Sequence, residues 1–318
     1  MERALITGGC GFVGRHFTQD LVRRGYDVTV VDDLSAGPAP ADWPAFVRPP
    51  RDFRFLRADA RDFFKETTQS FDLILHLSAV VGGRLTIEGD PLKVATDLAI
   101  DAMFFNWLPK LKPAPKKVIY FSSSAAYPTR FQTSQSPKLL SEEMIDFNED
   151  IGQPDMTYGW SKLTGEFLAK FSAEQYGLNV VMYRPFSGYG EDQHLSYPFP
   201  SIVTRVVNKE SPITIWGSGN QTRDFIHIDD CVEGVMVTMN QMAPGECLNL
   251  GWGRSTSFYE LAKICMKTAG HDAEIIADTT KPEGVFARVA DCTRFFRLYK
   301  PRITLEEGVE RAVRYLSK

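Results

Sequence analysis

Tyr158-Gly159-Trp160-Ser161-Lys162 puts a phenol and an ammonium four residues apart. On a helix that spacing brings both to one face and into one small volume. A tyrosine ordinarily ionises near pH ~10 and is a poor base at neutrality. A neighbouring ammonium favours the phenolate and brings it within range of acid–base work. The spacing does not decide by itself: Tyr259 and Lys263 repeat it in a segment that reads as ordinary amphipathic helix, with Tyr259 and Leu261 as packing residues.

A second set stands at the start of the chain. The glycines run Gly8-x-x-Gly11-x-x-Gly14 between the apolar stretch Ala4-Leu5-Ile6-Thr7 and a helical pattern carried by Phe17, Leu21 and Val22. Missing side chains let backbone approach a pyrophosphate, whose charge suits the positive end of the following helix. Val28 to Val31 reads as the next strand and ends in Asp32-Asp33, eighteen residues beyond Gly14. A carboxylate at that strand end can accept hydrogen bonds from an adenosine ribose and repels a 2′-phosphate, so the pattern points to NAD rather than NADP.

These residues need a scaffold of alternating strands and helices. Phe53–Leu56, Leu73–Leu77 and Val118–Phe121 read as buried strands, Val94–Leu108 as a helix, and Tyr158 opens a helix continuing through Phe171. The alternation implies an α/β fold with a doubly wound parallel sheet, whose ligands sit beyond the carboxyl ends of the strands. The Ser122–Ser124 run and Gly82-Gly83-Arg84 both fall at such ends. From Ser187 the glycines and prolines mark entry to a smaller lobe, with a helix at Ser201–Val207 and a strand at Ile213–Trp216. Asp229 and Asp230 read as the cap region of a helix through Met242, and Leu305–Leu316 as an amphipathic closing helix. The expected division is residues 1–186, with 228–251 returning to them, as the NAD-binding Rossmann domain, and 187–318 as mainly a substrate-binding lobe.

Composition narrows the partners. Across 318 residues, 36 basic against 40 acidic side chains give a net charge of −4 with no basic stripe, which argues against nucleic acid. No basic and apolar leader precedes Ala4, and no apolar run is long enough to span a bilayer. The five cysteines form no Cys-x-x-Cys pair and have no histidines at zinc spacing, so no metal is expected. Reduced, buried thiols fit a cytoplasmic protein.

With these landmarks in order, the chain resembles the extended short-chain dehydrogenase/reductase superfamily, specifically its NAD-dependent sugar-nucleotide epimerases and dehydratases. The resemblance rests on Gly8 to Gly14, Asp32, Asp59, His76-Leu77-Ser78-Ala79, Ser122–Ser124, Tyr158 to Lys162, Arg184-Pro185-Phe186, Arg223 to Asp230 and Arg288 to Asp291. It implies a catalytic set of Ser123, Tyr158 and Lys162. It implies NAD contacts from Gly8, Gly11, Phe12, Val13, Gly14, Asp32, Asp33, Asp59, Ala60, Leu77, Ser78 and Ala79, besides Tyr158 and Lys162. The substrate, a GDP- or UDP-linked sugar, would meet Gly83, Arg84, Ser124, Ala125, Ser187, Arg223 and Arg288, the last two gripping its pyrophosphate. A homodimer through the 94–108 and 157–176 helices is expected by the same analogy.

Departures from the family pattern narrow the reaction. Dehydratases carry two acids after the catalytic serine or threonine, where this chain has Ser124 and Ala125. The segment 123–132, with Gly82-Gly83 and Pro282–Val285, looks like GDP-mannose 3,5-epimerase and GDP-fucose synthase, yet Ala125 stands where those enzymes carry an acid–base cysteine. What remains is redox chemistry at a single carbon: 4-epimerisation, or net oxidation or reduction at the same position. The paired asparagines common near the family's active site are missing from helix 94–108, which offers Leu98 and Asp101 instead. Ser187 likewise replaces an asparagine expected against the substrate phosphates.

Overall fold

The computed structural model describes residues 1–80, 82 and 84–318. The apolar runs of the first half become six parallel strands: β1 (Arg3–Thr7), β2 (Asp27–Asp32), β3 (Arg54–Arg57), β4 (Leu73–His76), β5 (Lys117–Phe121) and β6 (Val180–Pro185). They lie in the order β3-β2-β1-β4-β5-β6. The helices between them are α1 (Phe12–Arg23), α2 (Ala60–Glu66), α3 (Arg84–Gly89), α4 (Pro91–Val94), α5 (Asp97–Trp107) and α6 (Met156–Tyr176). Side chains alternate across a strand, and β1 shows what that does here. Ala4 and Ile6 enter a core shared with Phe17 and Leu21 of α1, while Leu5 enters the opposite core with Phe63, Phe64 and Phe104. Strands covered on both faces must be apolar throughout, which is why these runs are continuous rather than alternating.

The remaining chain supplies β7 (Ser187–Tyr189), β8 (Ile213–Trp216), β9 (Thr222–Arg223), β10 (Phe225–His227), β11 (Cys247–Leu250), β12 (Thr256–Ser257), β13 (Ile275–Asp278) and β14 (Ala287–Arg288). Its helices are α7 (Pro198–Val207), α8 (Ile228–Thr238), α9 (Phe258–Thr268), α10 (Thr293–Leu298) and α11 (Leu305–Leu316). β11 pairs parallel with β6 and makes the large sheet seven-stranded. A third core joins α7, α9 and α11 through Phe199, Val203, Leu261 and Val309.

Three elements differ from the pattern-based expectation. The helix expected over 94–108 is two pieces, α4 ending at Val94 and α5 beginning at Asp97. α8 stops at Thr238, and the chain then turns through Pro244 and Gly245, the latter at φ +84°. α7 starts at Pro198, where a missing N–H leaves no hydrogen bond unmade.

Candidate active site

The first three βα turns build the cofactor end. Gly8 sits at φ +71°, and a Cβ there would lie 2.7 Å from the Ser78 amide, so only glycine lets the loop after β1 touch the loop after β4. At Gly14 a Cβ would come within 2.3 Å of the Gly8 carbonyl oxygen and push α1 off its loop. Gly11 is the N-cap of α1, with Phe12 and Val13 half-buried after it and no acidic side chain in the first turn. Asp32 closes β2 and accepts from the Cys10 amide at 2.9 Å and the Leu34 amide at 2.8 Å. Burial pushes its carboxyl above the ordinary value. Asp33 is exposed and accepts from the Ser35 amide.

Asp59 caps α2, whose first residue is the buried Ala60, and holds the Arg61 guanidinium at 2.6 Å. Leu77, Ser78 and Ala79 are half-buried at the end of β4. A glycine-only backbone cradle, a helix N-terminus free of carboxylates and a carboxylate closing the second strand suit the pyrophosphate and adenosine ribose of a dinucleotide. Gly83 lies outside the described residues.

Beyond β5, Ser123, Tyr158 and Lys162 come together. Ser123 opens a 3-10 turn and accepts from the Ala125 amide at 3.1 Å. The Ser123 hydroxyl stands near enough to Tyr158 to favour the phenolate. The Lys162 Nζ lies 5.9 Å from the Tyr158 ring centre and 5.5 Å from that of Tyr120. Lys162 does draw the phenol pKa down, as the spacing implies, but burial outweighs it and the Asp97 carboxylate adds to the rise. Tyr158 therefore sits above its ordinary value in this environment. Burial works against the Lys162 ammonium, yet Asp101, Tyr158, Asp97 and Glu166 hold it charged.

Those carboxylates form a floor under the site. Asp101 receives the Tyr120 hydroxyl at 2.5 Å and lies 3.1 Å from Nε2 of His76, whose Nδ1 is 2.8 Å from the Thr7 hydroxyl. Asp97 is wholly buried and accepts from the Val80 amide at 2.5 Å, while its Oδ2 has no partner among the described residues. Glu166, one turn beyond Lys162, takes the Arg184 guanidinium at 2.8 and 2.6 Å and also the Ser122 hydroxyl. Arg184 continues to the Tyr127 hydroxyl at 2.9 Å. Of the two residues the helix offers in place of the asparagines, Asp101 lies beside Lys162 together with Asp97, while Leu98 points outward. Ser124 and Ala125 are buried under the turn.

On the far side, three guanidiniums converge. Arg84 binds Asp155 at 2.9 and 3.0 Å and pairs with Glu88; Arg288 binds Asp155 at 2.7 Å and Gln132 at 2.7 Å. Arg223 donates to the carbonyls of Thr222 and Val285 at 2.8 and 2.9 Å. Burial and repulsion from Arg288 and Arg84 pull its pKa down to about 9. A Cβ on Gly284 would lie 3.4 Å from the Arg84 guanidinium and 3.5 Å from that of Arg223, so both line one spot. Such clustered cations suit a diphosphate.

Ser187 is tied by its amide to the Asp224 carbonyl, and no side-chain bond joins it to the arginines among the described residues. Sequence reasoning missed Asp97, Asp155 and Tyr197, whose phenol feels the charge of Tyr158. Asp155 carried a faint signal, standing three residues before Tyr158.

The fold and site are those of a dinucleotide-binding α/β protein with a Tyr-Lys pair beside a cluster of three arginines. Residues 4–251 match the NAD dependent epimerase/dehydratase family, and the chain belongs to it. NAD is accordingly its cofactor. The crystal structure of UDP-glucose 4-epimerase from Thermotoga maritima, with UDP-glucose, superposes with a TM-score of 0.84 at 25% identity, covering 98% of each chain. That of UDP-glucuronic acid 4-epimerase from Bacillus cereus, with UDP-glucuronic acid and NAD, gives 0.80 at 25% identity over 99% of this chain and 98% of the other. A dTDP-4-dehydro-6-deoxy-D-allose reductase from Streptomyces sp is 29% identical over 98% of this chain and 95% of its own. No described helix is long and apolar enough to cross a membrane.

Proposed function

We propose that this protein is an NAD-dependent nucleotide-sugar 4-epimerase. The observation that carries the reading is the Ser123–Tyr158–Lys162 set, with the buried methyl of Ala125 two residues after Ser123. Proton exchange beside a ketone needs an acid–base group there, and none is present on that turn. Bound NAD supplies a hydride acceptor that can return the same hydride. Tyr158 takes the proton of the sugar 4-hydroxyl as C4 is oxidised to the ketone; Lys162 and Ser123 favour the phenolate this needs, and the positive charge of bound NAD+ would add to their pull against burial. Ser123 steadies the sugar oxygen by hydrogen bonding, and Lys162 holds the phenolate charge. Once the ketone has turned its other face and C4 is reduced again, Tyr158 gives the proton back, so no net oxidation occurs.

Arg223, Arg288 and Arg84 grip the diphosphate. The groove of Arg130, Gln132 and Gly284–Phe286 continues from Arg288 through Gln132 and takes the nucleoside, UDP or GDP. Five buried, unpaired cysteines fit a reducing, cytoplasmic setting. Trp160, Phe167 and Phe171 form an exposed stripe on α6, with Leu98 exposed on the neighbouring α5, and a second copy packing there would close a four-helix bundle.

The reductase relative favours a second reading, net reduction of a 4-keto sugar at the same site. Proton NMR in D2O with a panel of UDP- and GDP-sugars and no added cofactor separates the two. A new 4-epimer without deuterium supports epimerisation. Deuterium beside the oxidised carbon defeats the argument from Ala125, and turnover only after NAD(H) is supplied favours net redox.

A further inference from the structure

Asp155 is the N-cap of α6, three residues before Tyr158, and an aspartate in that position ordinarily caps its own helix. Here its side chain makes no capping bond. The carboxylate, nearly buried, is drawn instead to Arg84 at 2.9 and 3.0 Å and to Arg288 at 2.7 Å. Burial works to raise its pKa, but Arg288 and Arg84 hold it below the usual carboxylate range. The backbone of Asp155 is fixed on both sides: its amide donates to the Ala125 carbonyl at 3.0 Å, and its carbonyl receives the Gly159 amide at 2.8 Å. Met156 follows in the left-handed region at φ +56°, a conformation that non-glycine residues rarely hold. An N-cap side chain accepts from the second or third helical amide. Here those are Thr157 and Tyr158, and neither amide has a backbone acceptor among the described residues.

We propose that Asp155 is a positioning residue that couples diphosphate recognition to Tyr158. A diphosphate competes with the carboxylate for Arg84 and Arg288. Released from them, the carboxylate swings onto the first turn of α6 and caps the amide of Thr157 or Tyr158. Binding of the substrate's anionic arm thereby fixes the helix turn that carries the phenol. The proposal rests on reading the arginine cluster as a diphosphate site; it does not depend on which sugar carbon reacts.

Asparagine caps helices about as well as aspartate and carries no charge, whereas alanine is likewise uncharged but cannot cap, so Asp155→Asn and Asp155→Ala separate the two roles. Inorganic pyrophosphate and UDP are titrated against wild type and both variants at fixed ionic strength. Backbone hydrogen exchange over residues 156–159 is followed with and without pyrophosphate. Both variants are expected to bind pyrophosphate about three- to tenfold more tightly, because no carboxylate occupies the arginines. Pyrophosphate should slow exchange of the first-turn amides in wild type, and Asp155→Asn should show slow exchange with or without it. Asp155→Ala should show no slowing and lose about tenfold in kcat on any substrate the enzyme turns over, with Asp155→Asn within about threefold of wild type. Unchanged or weaker pyrophosphate binding in both variants overturns the proposal, as does equal loss of kcat in the two. If pyrophosphate binds as expected but the NMR panel shows no epimer, the 4-epimerase reading fails and the role of Asp155 stands.

Discussion

Replacing Asp97 by asparagine should make the protein more stable, and only above a particular pH. Asp97 is wholly buried at the start of α5, with Lys162 and Tyr158 of α6, Asp101 of its own helix and Tyr120 of β5 as the ionisable groups around it. Burial raises its carboxyl from 3.8 to about 6 despite attraction to Lys162 and the bond from Val80. Below pH ~4 the folded and unfolded chains both hold this proton, and the group makes no difference between the variants. Between about 4 and 6 only the folded chain holds it, so stability falls as the pH rises through that window. Above it the folded protein carries a buried carboxylate, and the gap from 3.8 to about 6 corresponds to about 3 kcal/mol. Asparagine keeps an oxygen for the Val80 amide and never ionises. Melting temperatures of wild type and Asp97→Asn should therefore coincide near pH 4 and diverge by pH 8, the variant higher by about 4–5 °C. A difference that is flat with pH, or a variant that melts lower at pH 8, refutes the reasoning.

Tyr158→Phe should lower turnover at least ~100-fold while NAD stays bound, since the change removes one acid–base group and no cradle residue; near-normal turnover counts against the mechanism. Glu166→Gln leaves the buried Arg184 guanidinium without its anion and should cost about 3–5 kcal/mol in chemical denaturation, and an unchanged midpoint would show the pair to be dispensable. Phe167→Asp puts a charge in the exposed stripe of α6 and should turn a dimer into a monomer by light scattering. A wild-type protein that is already monomeric dismisses the four-helix interface.

What could be read in the sequence was whatever depends on neighbours along the chain. The turn at Gly8–Gly14, the strand ending in Asp32, the strand Ile213–Trp216 and the closing helix Leu305–Leu316 are all local patterns, and each lies where its pattern indicated. What could not be read depends on partners remote in sequence. Arg184 and Glu166 meet only because β6 lies against α6. One step along a helix is a ~100° turn, so on α5 the named Asp101 shares the buried face with Asp97, one turn away, while the named Leu98 is exposed. Nothing local distinguished Asp155 from an ordinary cap, because its role is set by arginines 71 and 133 residues away. The net rise of the Tyr158 pKa was hidden for the same reason: spacing reveals the ammonium, while burial is known only from the fold.

The place of β11 at the margin of the large sheet bears on how the chain is made. During synthesis β6 emerges more than sixty residues before its outer neighbour, with β7, α7, β8, β9, β10 and α8 between them. Until residue 250 has left the ribosome, the nascent sheet presents Val180–Pro185 as a bare hydrogen-bonding border, the kind of surface that recruits foreign strands. Asn249 then arrives with a donor for the carbonyl of Leu140 and an acceptor for the Tyr127 hydroxyl. One late strand thus pairs the border of β6 and ties down the loops after β5. A chain cut after residue 186 would carry every glycine of the cradle and the Tyr-Lys pair, yet should aggregate when expressed alone.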